Sequence, residues 1–187
     1  WCIAFRCRGK AEVFHVEYPS FPEEAFASSG TPRFNNQKIR GWVEICKAPT
    51  SSTIEPPEDY NWAANAWEVP DLNIRTHVRG WMNIVEPPQK GHSYVIGADT
   101  GHGIGKDSST IVVLNRTTKR FVAYAKDNTI KPDKLAEYMV LAGHLYNTAY
   151  LVPEFNGPGV LTTHLLVQSG YPKLYYSQRF NTAAQKW

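Results

Sequence analysis

The chain has 187 residues, enough for one ordinary domain or a small domain with an attached arm. With 42% hydrophobic and 20% charged residues it can furnish a packed core, and no apolar stretch approaches the roughly 20 residues that cross a bilayer. Its net charge of +3 is unevenly divided: residues 1–90 carry 10 Lys and Arg against 11 Asp and Glu, whereas residues 91–187 carry 10 against 6, a balance that suits a polyanionic partner as well as a solvated surface.

The chain opens Trp1-Cys2-Ile3-Ala4-Phe5-Arg6, without the basic start, apolar run and cleavage site of a signal peptide, and without Met, as expected of a piece of a longer polypeptide. Three cysteines, Cys2, Cys7 and Cys46, are too few and too odd in number for a disulfide framework and fit a reduced, intracellular setting. Cys2 and Cys7 lack a second Cys/His pair at zinc-ligand spacing. Pro22-Glu23-Glu24-Ala25-Phe26 predicts one helical turn with acids at its start. Residues 19–92 hold most of the prolines, together with Ser28-Ser29-Gly30 and Pro49-Thr50-Ser51-Ser52, and read as short strands and loops. Within them, residues 39–46 and 71–85 alternate or are rich in aromatics and predict an extended β-ribbon, with Trp42, Trp67 and Trp81 as packing anchors.

From Ser93 the pattern is regular. Tyr94-Val95-Ile96-Gly97-Ala98-Asp99 is an apolar run ending in an acid and predicts a buried strand. The Gly-rich turn 101–105 leads to a second strand over 109–114, and Asn115-Arg116-Thr117-Thr118-Lys119 turns into a third over 120–125. Pro132 opens a helix with Leu135, Met139, Val140 and Leu145 near helical spacing, followed by a short strand over 149–152 that ends Pro153-Glu154. Residues 157–168 predict a second helix, offering Val160, Leu161, Leu165 and Leu166 to the core and stopped by Gly170, and residues 173–176 begin a last strand. The order β-β-β-α-β-α-β is the opening of a ribonuclease-H-like α/β fold: a mixed sheet of three antiparallel strands and then α-β crossovers, flanked by helices and preceded by the Pro-rich arm or ribbon.

In such a sheet the ends of the first and fourth strands meet, which brings Asp99 and Glu154 together across 55 positions of sequence. Converging carboxylates are what a metal-dependent nuclease requires: Mg²⁺ takes hard oxygen ligands, and two ions roughly 4 Å apart can activate water and stabilise the leaving oxygen of an in-line phosphodiester displacement. A single strand-end acid is more often a turn cap, but two at positions that one fold unites favour the metal reading for Asp99 and Glu154. For Asp107, in the good turn sequence Asp107-Ser108-Ser109, the two readings balance.

Tyr94–Gly101 through Gly105-Lys106-Asp107-Ser108-Ser109 resembles the first nuclease motif of phage terminase large subunits, and Glu154-Phe155-Asn156-Gly157-Pro158-Gly159-Val160-Leu161 resembles the second. Upstream, Glu17-Tyr18-Pro19-Ser20-Phe21-Pro22-Glu23-Glu24-Ala25-Phe26-Ala27-Ser28-Ser29-Gly30 resembles the end of that family's ATPase domain. The resemblance implies an ATPase-end arm over 1–40 and a C-terminally incomplete nuclease domain over 41–187. It implies a bacteriophage endonuclease that cuts concatemeric double-stranded DNA during viral genome packaging, with Asp99, Glu154 and Asp107 as catalytic metal ligands for Mg²⁺ or Mn²⁺. The implied partners are DNA, the portal protein and the small terminase subunit, with no membrane, and the implied location is the cytoplasm of the infected bacterial host. The family carries a further acid near its C-terminus, and no acid follows Glu154 here.

ATP is expected to bind elsewhere in the full-length chain, because the turn after Asp99 fails the phosphate-loop pattern: Thr100 stands where Gly is required and Asp107 where Ser or Thr must follow the Lys. Lys106, Arg116, Lys119, Arg120, Lys126, Lys131 and Arg179 are candidates for tracking DNA phosphates, and His102 for reaching the metal cluster or the scissile phosphate; each also reads as an ordinary surface residue. His15, His77, His92, His144 and His164 show no ligand spacing. Two alternatives stay open: another ribonuclease-H-like nuclease of resolvase or transposase type, and a non-catalytic DNA-gripping or docking module of the packaging motor.

Overall fold

The computed structural model describes residues 36–175. The chain divides into two compact units, Trp1–Cys46 and Lys47–Trp187. The expected helical turn at Pro22, the upstream segment 17–30 and Arg179 lie outside the described residues.

In the first unit, α1 spans Asn36–Ile45, where a strand over 39–46 was expected. The apolar side chains of Ile39, Trp42, Val43 and Cys46 recur at three- and four-residue steps, which is a helical stripe and not an alternation. Trp42, predicted as a packing anchor, is 63% exposed.

The second unit holds a seven-stranded mixed sheet. In chain order it is built from β1 (Thr50–Glu55), the short helix α2 (Trp62–Asn65), β2 (Asn73–Thr76), β3 (Met82–Ile84), β4 (Tyr94–Asp99), β5 (Ser109–Asn115), β6 (Arg120–Asp127), α3 (Pro132–Leu145), β7 (Tyr150–Pro153) and α4 (Gly159–Gln168). Across the sheet the strands run β2-β1-β3-β6-β5-β4-β7. The meander β4-β5-β6 is antiparallel, as its short turns require, and β7 returns parallel to β4 after the α3 crossover. Leu174 forms a parallel bridge to Leu151, where the sequence predicts a last strand. The ribonuclease-H-like order read from the sequence is therefore present. The ribbon differs from expectation: β1 lies in a stretch read as loop, and β3 pairs with β6, so β2-β1-β3 extend the main sheet and are no separate arm.

One face of the sheet carries the core. Ile96, Ile111, Val113 and Leu151 are fully buried against Leu135, Met139 and Val140 of α3 and Leu166 of α4. Of the other predicted anchors, Trp81 stacks on Tyr138 at 3.9 Å between ring centroids, while Trp67 is 55% exposed. Val160 and Leu161 of α4, expected in the core, face outward. The connection between β3 and β4 is laced to the end of α3: the Tyr146 hydroxyl donates to the Glu86 carbonyl, and Asn147 Nδ2 donates to the carbonyls of Gln89 and His92.

Among the described residues of the second unit, no helix covers the opposite face. Because side chains alternate along each strand, the register aligns three cross-strand rows there. The first is Tyr150, Val95, Leu114 and Phe121; the second is Val152, Gly97, Val112 and Tyr124. The third is Glu154, Asp99, Thr110 and Lys126, the candidate acids among them.

Candidate active site

The acid pair is a consequence of strand pairing. Asp99 is the last residue of β4, and Ala98 pairs with Pro153 in the parallel ladder. The Glu154 amide extends that ladder by donating to the Ala98 carbonyl at 2.9 Å, so Glu154 sits beside Asp99. Both side chains face solvent at neighbouring strand ends. The Asp99 carboxyl, first as a hydrogen-bond partner for the protonated form and then through its negative charge, holds the Glu154 carboxyl above the ordinary carboxylate range, while Asn156 pulls it the other way. Asn156 Nδ2 donates to Glu154 Oε1 at 2.7 Å and so fixes the carboxyl group's orientation.

The turns around the pair are held from beneath. The Gly101 amide donates to Ser109 Oγ at 3.0 Å, and that hydroxyl donates to the Ile130 carbonyl at 2.9 Å. A Cβ at Gly101 would lie 2.6 Å from the Asp107 carbonyl oxygen, so only glycine lets the loop fold back on its own start. Buried Thr100 faces Thr162, whose hydroxyl donates to the Pro132 carbonyl and ties the first turn of α4 to that of α3. Gly159 lets α4 begin directly against the Glu154 carbonyl.

These elements enclose an open cavity of about 490 Å³ lined by Asp99, Thr100, Gly101, His102, Asp107, Ser108, Glu154, Asn156 and Pro158. The structure thus brings Asp99 and Glu154 into contact and places Asp107 and His102 on the same wall. Among the described residues no three His, Cys, Asp or Glu side chains gather closely enough to hold a metal ion, so Asp107 stands apart from the pair.

The basic candidates separate. Arg120 is engaged by Glu86 at 2.9 Å. Lys126 occupies the row of the acid pair, Arg116 and Lys119 line a second concavity with Tyr150 and Tyr175, and Lys106 and Lys131 are exposed. Asn156 is the functional side chain that sequence reasoning left without a role; its signal was an amide two residues beyond the acid.

No family model and no curated protein matches the chain. Among solved structures it is similar to the large terminase nuclease from thermophilic phage G20c, at 24% identity and a TM-score of 0.45 over 53% of this chain and 51% of that one. For the same nuclease with bound magnesium the values are 24%, 0.47, 55% and 54%. For the large terminase nuclease domain of Thermus phage P74-26 they are 22%, 0.45, 57% and 53%. These structural neighbours are nuclease domains of large terminases from thermophilic phages, and the chain spans about half their length.

Proposed function

We propose that this chain is the nuclease part of a phage large terminase, a divalent-metal-dependent endodeoxyribonuclease that hydrolyses phosphodiester bonds of concatemeric double-stranded DNA. The observation that carries the reading is the juxtaposition of Asp99 and Glu154, two solvent-facing carboxyls from distant stretches of chain that the β4–β7 ladder sets side by side in the lining of a polar cavity. A paired donor set of hard oxygens fits Mg²⁺ or Mn²⁺, which usually retains several waters and needs one or two carboxylates. Asp99 and Glu154 would hold the ion, and Asp107, on the same cavity wall but apart from the pair, is the candidate for a further oxygen; a bound metal would contribute an activated water and charge neutralisation at the leaving oxygen. Asn156 keeps Glu154 oriented, the Gly101 turn lets the loop fold back beside the acids, and His102 in the cavity lining and exposed Lys106 in the same turn would meet phosphate oxygens. On this reading the portal protein and the small terminase subunit are partners, the setting is the cytoplasm of the infected bacterial host, and ATP is bound elsewhere in the full-length chain.

Incubation of supercoiled plasmid with the chain and Mn²⁺ tests the proposal. Nicking is expected, and Asp99→Ala and Glu154→Ala should each lower its rate by at least roughly 100-fold, the scale on which loss of metal-held charge stabilisation is felt. One observation favours a second reading, a DNA-gripping or docking module: no third acid joins the pair among the described residues. Plasmid binding without nicking, unchanged by both substitutions, would select that reading.

A further inference from the structure

The β4–β5 loop is held to the connection between β6 and α3 at successive points. Near its start the Gly101 amide donates to Ser109 Oγ, which donates to the Ile130 carbonyl. At Gly103 a Cβ would lie 2.9 Å from backbone atoms of Ile130 and Lys131, so the two segments meet main chain to main chain. At Gly105 the bonds are reciprocal: its amide donates to the Asn128 carbonyl at 2.9 Å, and Asn128 Nδ2 donates to the Gly105 carbonyl at 3.0 Å. Beyond Gly105 the loop runs through exposed Lys106 and Asp107 to Ser108 and enters β5 at buried Ser109. Asp107 is thus carried on the short arc 106–108, pinned at one end by Asn128 and at the other by the sheet.

We propose that Asn128 is a positioning residue for the acid site: its side chain fixes the arc that carries Asp107, and so sets where that carboxyl stands relative to Asp99 and Glu154. Asn is common in turns, but the turn at 127–129 is closed by a different side chain, since Asp127 Oδ1 accepts from both the amide and the hydroxyl of Thr129. The Asn128 amide is left over from that turn and reaches across 23 positions of sequence to the loop. It is exposed and lies outside the core, so packing does not account for its bond. Without it the next fixed point upstream is Gly103, and the arc grows to 104–108. Every residue so released has to be ordered again when Asp107 meets a cation. The inference rests on the nuclease reading for the role of Asp107, and it deepens that reading by naming a residue outside the cavity lining that tunes the cation site.

Trypsin cleavage in EDTA and calorimetric titration with Mn²⁺ alone test the proposal. In EDTA, cleavage after Lys106 should be roughly 3- to 10-fold faster in Asn128→Ala, the scale of one exposed hydrogen bond. Asn128→Asp, which keeps the shape and turn preference of Asn but cannot donate, should behave alike. Asn128→Ala should also bind Mn²⁺ roughly 3- to 10-fold more weakly. In an Asp107→Ala background it should change Mn²⁺ affinity no further, because its effect runs through that carboxyl. Thermal melts establish that each variant is folded. Unchanged cleavage after Lys106, faster cleavage with Mn²⁺ affinity intact, or an equal loss of affinity with and without Asp107 would each overturn the proposal. Absence of Mn²⁺ binding by the unsubstituted chain would overturn it together with the nuclease reading. The expected pattern of Mn²⁺ binding in a chain that nicks no plasmid would instead count against the nuclease reading and leave the positioning role standing.

Discussion

Asn156 reaches only one functional atom, yet it decides where the Glu154 carboxyl points. Its replacement by Ala should leave the melting temperature unchanged and lower Mn²⁺ affinity or nicking rate by roughly 10- to 100-fold, the range for lost partners of metal ligands. His144 makes the opposite case, a polar side chain with no role in the site. It is 4% exposed, both ring nitrogens lack hydrogen-bond partners, and its ring packs against Tyr60 and Tyr171. Burial holds its pKa below the ordinary histidine value, with the Ala66 backbone opposing in part. The Tyr60 hydroxyl is pushed up to about 12 by burial and by Glu68, and burial also raises Tyr171, so neither facing phenol offers a negative charge at neutral pH. The unfolded chain therefore takes up the proton first: stability is full above about pH 6.5 and falls as the pH drops below it. Melts at pH 7.5 and pH 5.5 should show a loss of a few degrees that shrinks in His144→Phe; an identical loss in the variant would assign it to other groups. Asp99 and Glu154 were legible in the sequence because an acid that ends an apolar strand is conspicuous. Asn156 and Ser109 were not, since their roles exist only through partners that the fold supplies.

Among the elements, β4, β5, β6, α3 and β7 could be read to within two residues, because apolar runs bounded by Gly, Pro and Asn turns leave little choice. The sequence Thr50-Ser51-Ser52-Thr53-Ile54-Glu55 has no such run; β1 exists because β2 and β3 pair on its two sides. Residues 39–46 failed for a different reason, a helical stripe of four apolar side chains too short to distinguish by eye from alternation. The junction of β7 with α4 is the element-scale feature on which the acid pair depends. A Cβ at Gly159 would collide with the Glu154 carbonyl oxygen, so Gly159→Ala must move either the helix start or the strand end. The expected result is a loss of about 1–3 kcal/mol in denaturant unfolding and a fall in nicking beyond what the stability loss explains. An unperturbed variant would show that the junction is softer than its packing implies.

For the whole molecule, the antiparallel meander and the crossover that sets β7 beside β4 were legible, whereas the attachment of the ribbon through β3 and β6 was not, since two residue pairs carry it. Because the acids belong to the folded sheet, a cation bound there stabilises the entire second unit. At 100 times its dissociation constant, Mg²⁺ or Mn²⁺ should add about 2.7 kcal/mol, roughly 5–10 °C in melting temperature. EDTA should remove the gain and the Asp99→Ala/Glu154→Ala double variant should lack it. An equal shift in that variant would place the cation elsewhere.

The parallel pairing of β7 with β4 has a kinetic consequence. Hairpins close locally and early, but this pairing must wait until the intervening meander and α3 have drawn the chain back on itself, with the loop-closure entropy that a long separation entails. In a nascent or half-folded chain the two carboxyls therefore remain far apart, and the acid pair is assembled only when the sheet is complete.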